Sequence, residues 1–336
     1  MADIDIRKDR HAGRITLTRP QALNALSMEM VLAATEALRL WQDDEAVRIV
    51  IIDAAGDRAF CAGGDVAALW HAAQADDHVM ARDFFAAEYR LNAAIANFPR
   101  PVISFMQGFV MGGGVGVGAN ARIRIVGDTT RMAMPEASIG LVPDVTGSWH
   151  LARAPGRIGE YLGLTGTQMG PGDAIHAGFA DRWLPEADWP AVIDHLITSG
   201  DPRVIPQRPA PTAVLEDRDL SAFGGARVDD IIAALEAAGD AKTLALLHRN
   251  APLSLAATLA MIRLARSDRR IEESLSREYR FTSRATTEGD FLEGVRARLI
   301  DKDGKPAWRQ PATRAKVDEM LSPLGADELS LGTQVA

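Results

Sequence analysis

The stretch "MPEASIGLVPD", residues 134 to 144, sets Glu136 and Asp144 eight positions apart with no other charged side chain between Pro135 and Pro143. Prolines restrict the backbone, and burial of a carboxyl in such an apolar segment raises its pKa toward neutrality, where it can move protons. Simpler readings stand beside that one: Glu136 as a first-turn helix residue favoured by the helix dipole, and Asp144 as a turn or cap residue in "PDVTGS". A third carboxylate, Glu88, lies in "DDHVMARDFFAAEYRLNAAIANF", where Met80, Phe84, Leu91, Ile95 and Phe98 recur at helical spacing. At 100 degrees per residue Glu88 falls on the margin of that apolar stripe, an unusual place for a carboxylate, for which an ion pair with Arg82 or Arg90 is the plainer reading.

Two glycine turns supply a different chemistry. "AFCAGGDV" (59 to 66) carries Gly63 and Gly64 between a strand and an apolar-periodic helix, where glycine exposes backbone N–H groups. A tight turn capped by Asp65 is the plainer reading. "GFVMGGGVGVGANA" (108 to 121) repeats the arrangement with Gly112, Gly113 and Gly114. Its Gly114-x-Gly116-x-x-Ala119 is a degenerate dinucleotide fingerprint, but it lies far from the N-terminal strand unit and Asp128 comes too early for the ribose carboxylate. Close helix packing through small residues is a third possibility. Taken together, the two turns suggest one amide donor each, converging on a single oxygen as an oxyanion hole.

Other chemistries find no support. There is no G-x-S-x-G elbow, and His71, His78, His150 and His176 do not fall at metal-ligand spacing. "DKDG" (301 to 304) lacks the remaining ligands of a calcium loop. One cysteine, Cys61, excludes an intrachain disulfide framework and a CxxC site. A formal net charge of −8 over 336 residues leaves no electrostatic footprint for nucleic acid or an anionic membrane. The N-terminal residues read as neither signal nor transit peptide, and no run reaches the length of a membrane span, so the expectation is a soluble cytoplasmic protein.

The elements that must position these groups are legible in outline. "GRITLTRP" (13 to 20), "RIVIIDAA" (48 to 55) and "PVISFMQG" (101 to 108) predict strands. Ser27 reads as the N-cap of a helix whose inner face carries Met30, Val31, Ala34, Leu38 and Trp41. The expected organisation is an α/β core over 1–200, a proline-rich connector at 201–212, a helical region over 213–322 and a frayed tail at 323–336.

"LNALS", "AFCAGGDV", "GFVMGGGVGV" and "MPEASIGLVPDVTGSWHLAR", in that order, resemble the crotonase (enoyl-CoA hydratase/isomerase) superfamily, whose members stabilise an oxyanion of an acyl-CoA thioester. "EYRFTSRATTEGDFLEGVRARLIDKDGKPAW" is similar to its 3-hydroxyisobutyryl-CoA hydrolase branch, so the resemblance spans most of the chain. It implies a crotonase-like α/β spiral of ββα units, with C-terminal helices that cover the site or make trimer contacts in a homo-oligomer. It also implies that the amides of Gly64 and Gly113 form the oxyanion hole and that Glu136 and Asp144 are catalytic, although Thr146 stands where that branch has glycine. Glu88, Ala25, Ala62, Gly63 and Asp65 would contact an acyl-CoA substrate. Coenzyme A belongs to that substrate, and neither a metal nor a further cofactor is implied.

Hydratases of the superfamily place a second glutamate three positions after the oxyanion glycine, and here that position is Gly116. The resemblance therefore implies a thioester hydrolase of valine catabolism. An enoyl-CoA hydratase/isomerase, a catalytically silent acyl-CoA-binding protein and, more distantly, a Rossmann-type oxidoreductase are the alternatives.

Overall fold

A computed structural model describes residues 3–331. The chain begins with an antiparallel hairpin, β1 (Ile4–Asp9) and β2 (Ala12–Leu17). Helix α1 (Met28–Trp41) follows, with Ser27 accepting from the Met30 N–H at 3.3 Å and the predicted apolar face buried. Then come β3 (Ile49–Ala54), β4 (Ala59–Cys61), α2 (Val66–Gln74), α3 (Val79–Ala96), β5 (Val102–Met106), β6 (Phe109–Met111) and α4 (Gly113–Gly118). β7 (Ile123–Val126), β8 (Arg131–Ala133), α5 (Gly147–Arg153), α6 (Ile158–Thr165), α7 (Pro171–His176), β9 (Arg182–Trp183) and α8 (Trp189–Ser199) complete the mixed part. The rest is helical: α9 (Val228–Ala238), α10 (Ala241–His248), α11 (Pro252–Ala265), α12 (Ile271–Thr282), α13 (Phe291–Val295) and α14 (Arg314–Met320).

The chain divides into two compact units that interleave along the sequence. The first comprises the residues up to Gly64, Arg90–Ala133 and Gln168–Asp217, and it holds every strand found among the described residues. One sheet has the order β1-β2-β3-β5-β7-β9, parallel from β2 onward, and a second, wholly parallel sheet has the order β4-β6-β8. Successive strand pairs β3–β4, β5–β6 and β7–β8 each send one strand to each sheet, which is the ββα spiral. Ile49, Ile51, Ile103, Phe105 and Ile125 are buried together with Trp189, Val192 and Leu196 of α8, so the core strands read as apolar runs rather than alternations.

The second unit comprises Asp65–Tyr89, Met134–Thr167 and the chain from Arg218 onward. Here α11, buried along most of its length, lies among α5, α6 and α12. The last change of unit, between Asp217 and Arg218, falls just beyond the proline-rich connector. The expected frayed tail is corrected in part. Glu328 accepts from the Arg280 Nε at 2.7 Å and from the Leu324 N–H at 2.8 Å, and Leu329 is buried, so the chain is held to that point. Residues 332–336 lie outside the described residues.

Candidate active site

In the first unit, β4 and β6 pair in parallel and each ends in a glycine turn. Gly63 has φ +118 and Gly112 φ +47, backbone that a side chain would strain. The Gly63 carbonyl accepts from the Leu26 N–H at 2.9 Å. Because a trans peptide holds its C=O and N–H on opposite sides, the Gly64 N–H points away from Leu26. Gly113 is the first residue of α4, so its N–H is one of the amides that the helix itself leaves without a partner. The turns touch: a Cβ on Gly63 would stand 3.6 Å from the Met111 carbonyl oxygen, and one on Gly114 would stand 2.2 Å from that of Cys61. The Ala62 N–H donates to the Leu23 carbonyl at 3.0 Å, and Ala25 is held by its N–H to the Ala22 carbonyl at 3.1 Å. Gly116 lies buried within α4.

The carboxylates belong to the second unit. Asp65 caps α2, accepting from the Ala68 N–H at 3.2 Å. Glu88, on α3, is 2% exposed, and its Oε1 has no hydrogen-bond partner. Burial, then the charge of Asp144, holds its carboxyl well above the ordinary range.

Glu136 opens a 3-10 turn, Glu136–Ile139, and is buried with Oε2 unpartnered. That turn is fixed from outside: the Ala251 N–H donates to the Ala137 carbonyl at 2.9 Å, and Gly140, at φ +74, lies against the Asp290 backbone. Burial raises the Glu136 carboxyl well above its usual value, with Asp144, Glu88 and Glu278 adding to the shift and its own backbone amide opposing it.

Asp144 is also buried, and burial pushes it up to about 7 against the lowering effects of the Tyr89 hydroxyl and its own backbone amide. The Tyr89 hydroxyl donates to Asp144 Oδ2 at 2.7 Å and lies 3.2 Å from Thr282 Oγ1. Val145 and Thr146 follow at φ +52 and +75, so Asp144 leads into a left-handed turn rather than capping α5. That turn is received by a fourth buried carboxylate, Glu278 of α12. Its Oε2 accepts from the Thr146 N–H at 2.9 Å, and its Oε1 from the Ser148 N–H at 2.9 Å and the Ser148 hydroxyl at 2.5 Å. Burial raises Glu278 to about 7 despite those bonds.

The structure thus brings Glu88, Glu136 and Asp144 into one buried cluster, and Gly64 and Gly113 onto neighbouring turns. Sequence reasoning missed Tyr89 and Glu278. A signal for Glu278 existed, because Leu275, Glu278, Tyr279 and Thr282 occupy i, i+3, i+4 and i+7 of one helix face, where a carboxylate is as unexpected as Glu88 is on α3. Carboxyls that repel one another in a buried setting share protons near neutral pH, and such a group titrates as a set. It can give and take protons without histidine.

A spiral of ββα units with buried carboxylates and paired glycine turns defines a crotonase-type α/β protein. The enoyl-CoA hydratase/isomerase family pattern matches residues 12–323, and the chain belongs to that family. It is 34% identical to the mitochondrial 3-hydroxyisobutyryl-CoA hydrolase of Gallus gallus, covering 98% of this chain and 91% of that one. It is likewise 34% identical to 3-hydroxyisobutyryl-CoA hydrolase 1 of Arabidopsis thaliana over 91% of this chain and 87% of the other. Among solved structures, an enoyl-CoA hydratase from Rhodobacter sphaeroides superposes with a TM-score of 0.94 at 53% identity, covering 98% of this chain and all (100%) of that one. A carnitinyl-CoA dehydratase from Mycobacterium thermoresistibile superposes with a TM-score of 0.92 at 39% identity over 99% of this chain and 100% of the other.

Proposed function

We propose that the chain hydrolyses the thioester of 3-hydroxyisobutyryl-CoA, an acyl-CoA of valine breakdown. The observation that carries this reading is the buried cluster of Glu88, Glu136 and Asp144 in a chain whose residue 116 is glycine. Hydration by the family pattern needs a second glutamate at that position, whereas thioester hydrolysis does not. The hydrolase names of relatives that match over nearly the whole chain support the same choice.

In this reading the N–H groups of Gly64 and Gly113 take the negative charge that develops on the thioester oxygen, each lowering the barrier by about 3 kcal/mol. Glu136 either removes a proton from the attacking water or adds its own oxygen to the carbonyl carbon, giving a mixed anhydride that water then opens. The C–S bond breaks in either route, and the sulfur leaves as a thiolate of reference pKa about 8.5, which needs little protonic help. Asp144, raised to about 7, manages the proton. Glu88 accepts a hydrogen bond from the substrate's 3-hydroxyl, and Ala25, Ala62, Gly63 and Asp65 line the rest of the acyl-CoA. A homotrimer is the assembly to be tested by light scattering.

Release of free thiol, measured across 3-hydroxyisobutyryl, other 3-hydroxyacyl, propionyl and crotonyl thioesters, tests the proposal. Fastest release from 3-hydroxyisobutyryl-CoA is expected. The second reading, an enoyl-CoA hydratase, is favoured by the name of the 53% identical structure. Crotonyl-CoA losing its conjugated absorbance without thiol would establish it in place of the first. Tight binding of CoA esters with neither change would indicate a silent binding protein.

A further inference from the structure

We infer that Glu278 is a positioning residue of this reaction: its buried carboxylate holds the left-handed turn at Val145–Thr146 and so sets how Asp144 presents its own carboxylate. The inference rests on the hydrolase reading. Two consecutive β-branched residues at positive φ, +52 and +75, are backbone outliers, and such conformations persist only where the surroundings over-determine them. Glu278 supplies that determination. Both of its oxygens are occupied, Oε2 by the Thr146 N–H and Oε1 by the N–H and hydroxyl of Ser148, so the turn is gripped two and four residues past Asp144. One turn further along α12, Thr282 meets the Tyr89 hydroxyl that donates to Asp144. A single helix therefore supports Asp144 through both its backbone and its carboxylate.

The groups facing Glu278 are Asp144 across the turn, Tyr89 on α3 and Glu136 on the 3-10 turn, while Arg277 on its own helix pairs with Asp268. Ionised Glu278 opposes ionisation of Glu136 and Asp144, so it affects the proton affinity of the site as well as its shape.

The test is Glu278→Gln in the full chain, since an amide oxygen and NH2 cannot accept from both backbone donors. With 3-hydroxyisobutyryl-CoA, kcat is expected to fall about a hundredfold, the loss typical of a small misplacement of a reacting group, with KM little changed. The acid limb of the kcat profile is expected at lower pH, and amide deuterium exchange should quicken at residues 144–148 alone. A folded variant with the parent's kcat and acid limb overturns the inference, as does a loss carried by KM with the acid limb unmoved. Should Glu278→Gln not fold, Ser148→Ala removes one of the three bonds: lower kcat with faster exchange at 144–148 supports the inference, and parental values for both overturn it. If the parent releases no thiol, the hydrolase reading fails separately. Exchange at 144–148 in Glu278→Gln then decides the turn-holding role, parental rates overturning it and faster rates supporting it.

Discussion

The hydroxyl of Tyr89 donates to Asp144 Oδ2 at 2.7 Å, and both residues are buried. Burial and the facing carboxylates raise the Tyr89 phenol, so it stays protonated as a donor. Its donation lowers the Asp144 carboxyl, which burial nevertheless carries to about 7. Tyr89→Phe removes that lowering influence. Its kcat/KM profile should show an acid limb at higher pH than the parent's, opposite in direction to Glu278→Gln, with activity recovering toward alkaline pH. Unfolding free energy should drop by about 1.5 to 3 kcal/mol, the range for a hydrogen bond to a charged group. A pH series of thiol release and a urea titration measure the two effects, and an unmoved acid limb counts against Asp144 as the titrating group.

Glu136→Gln separates catalysis from stability. Loss of a proton-transferring or nucleophilic carboxylate should lower kcat by about 10²- to 10⁴-fold. Stability should move the other way. Because the folded-state pKa is raised above the unfolded value of 4.5, the stability linked to the neutral form is complete below that value and is lost as pH rises through the folded pKa. Glutamine carries no such loss. The melting temperatures of parent and variant should therefore agree near pH 4.5 and diverge toward pH 8, with the variant the higher. Calorimetry across that range checks the trend, and a variant less stable at pH 8 than the parent contradicts a buried, proton-sharing Glu136.

Glu88 is predicted to act on selectivity. An acceptor oxygen buried without a protein partner suits a substrate hydroxyl and penalises a chain that lacks one. In Glu88→Ala, the preference for 3-hydroxyisobutyryl-CoA over isobutyryl-CoA should shrink about tenfold or more, from the 1 to 3 kcal/mol that an unpaired buried acceptor costs. Paired kcat/KM measurements decide, and an unchanged ratio leaves Glu88 with a structural role alone.

Legibility in the sequence followed the range of the interactions concerned. α1 could be read because Ser27 and its apolar stripe are local signals, and Glu88 because its place at the margin of the apolar stripe on its own helix is local too. The strands β4, β6 and β8 have three residues each, too few for a period, so the second sheet was foreseen only through the family resemblance. The role of Glu278 was hidden because its partners are backbone amides and a hydroxyl 130 or more positions away, in a turn whose left-handed φ values fall on valine and threonine rather than glycine. Nothing in "PDVTGS" announces that geometry. The hold on the tail through Arg280 and Glu328 is likewise a pairing across 48 positions between two residues ordinary on any surface.

Gly114 offers a test of the glycine turns through stability and turnover together. A Cβ at this position would stand 2.2 Å from the Cys61 carbonyl oxygen and 2.9 Å from its carbon, backbone atoms that cannot rotate aside as a side chain can. Gly114→Ala must therefore push the first turn of α4 off the end of β4, moving the neighbouring Gly113 amide with it. Overpacking of this kind costs about 1 to 3 kcal/mol, seen as a lower urea midpoint at an unchanged slope. If the Gly113 N–H stabilises the oxyanion, kcat should drop by about 10²- to 10³-fold even at urea-free, fully folded conditions. Gly170→Ala is the control, because Gly170 has φ −76 and nothing within 4 Å of an added Cβ, and it should retain both midpoint and turnover. Parental turnover in a folded Gly114→Ala protein would show that the reaction does not depend on where this turn places its amides.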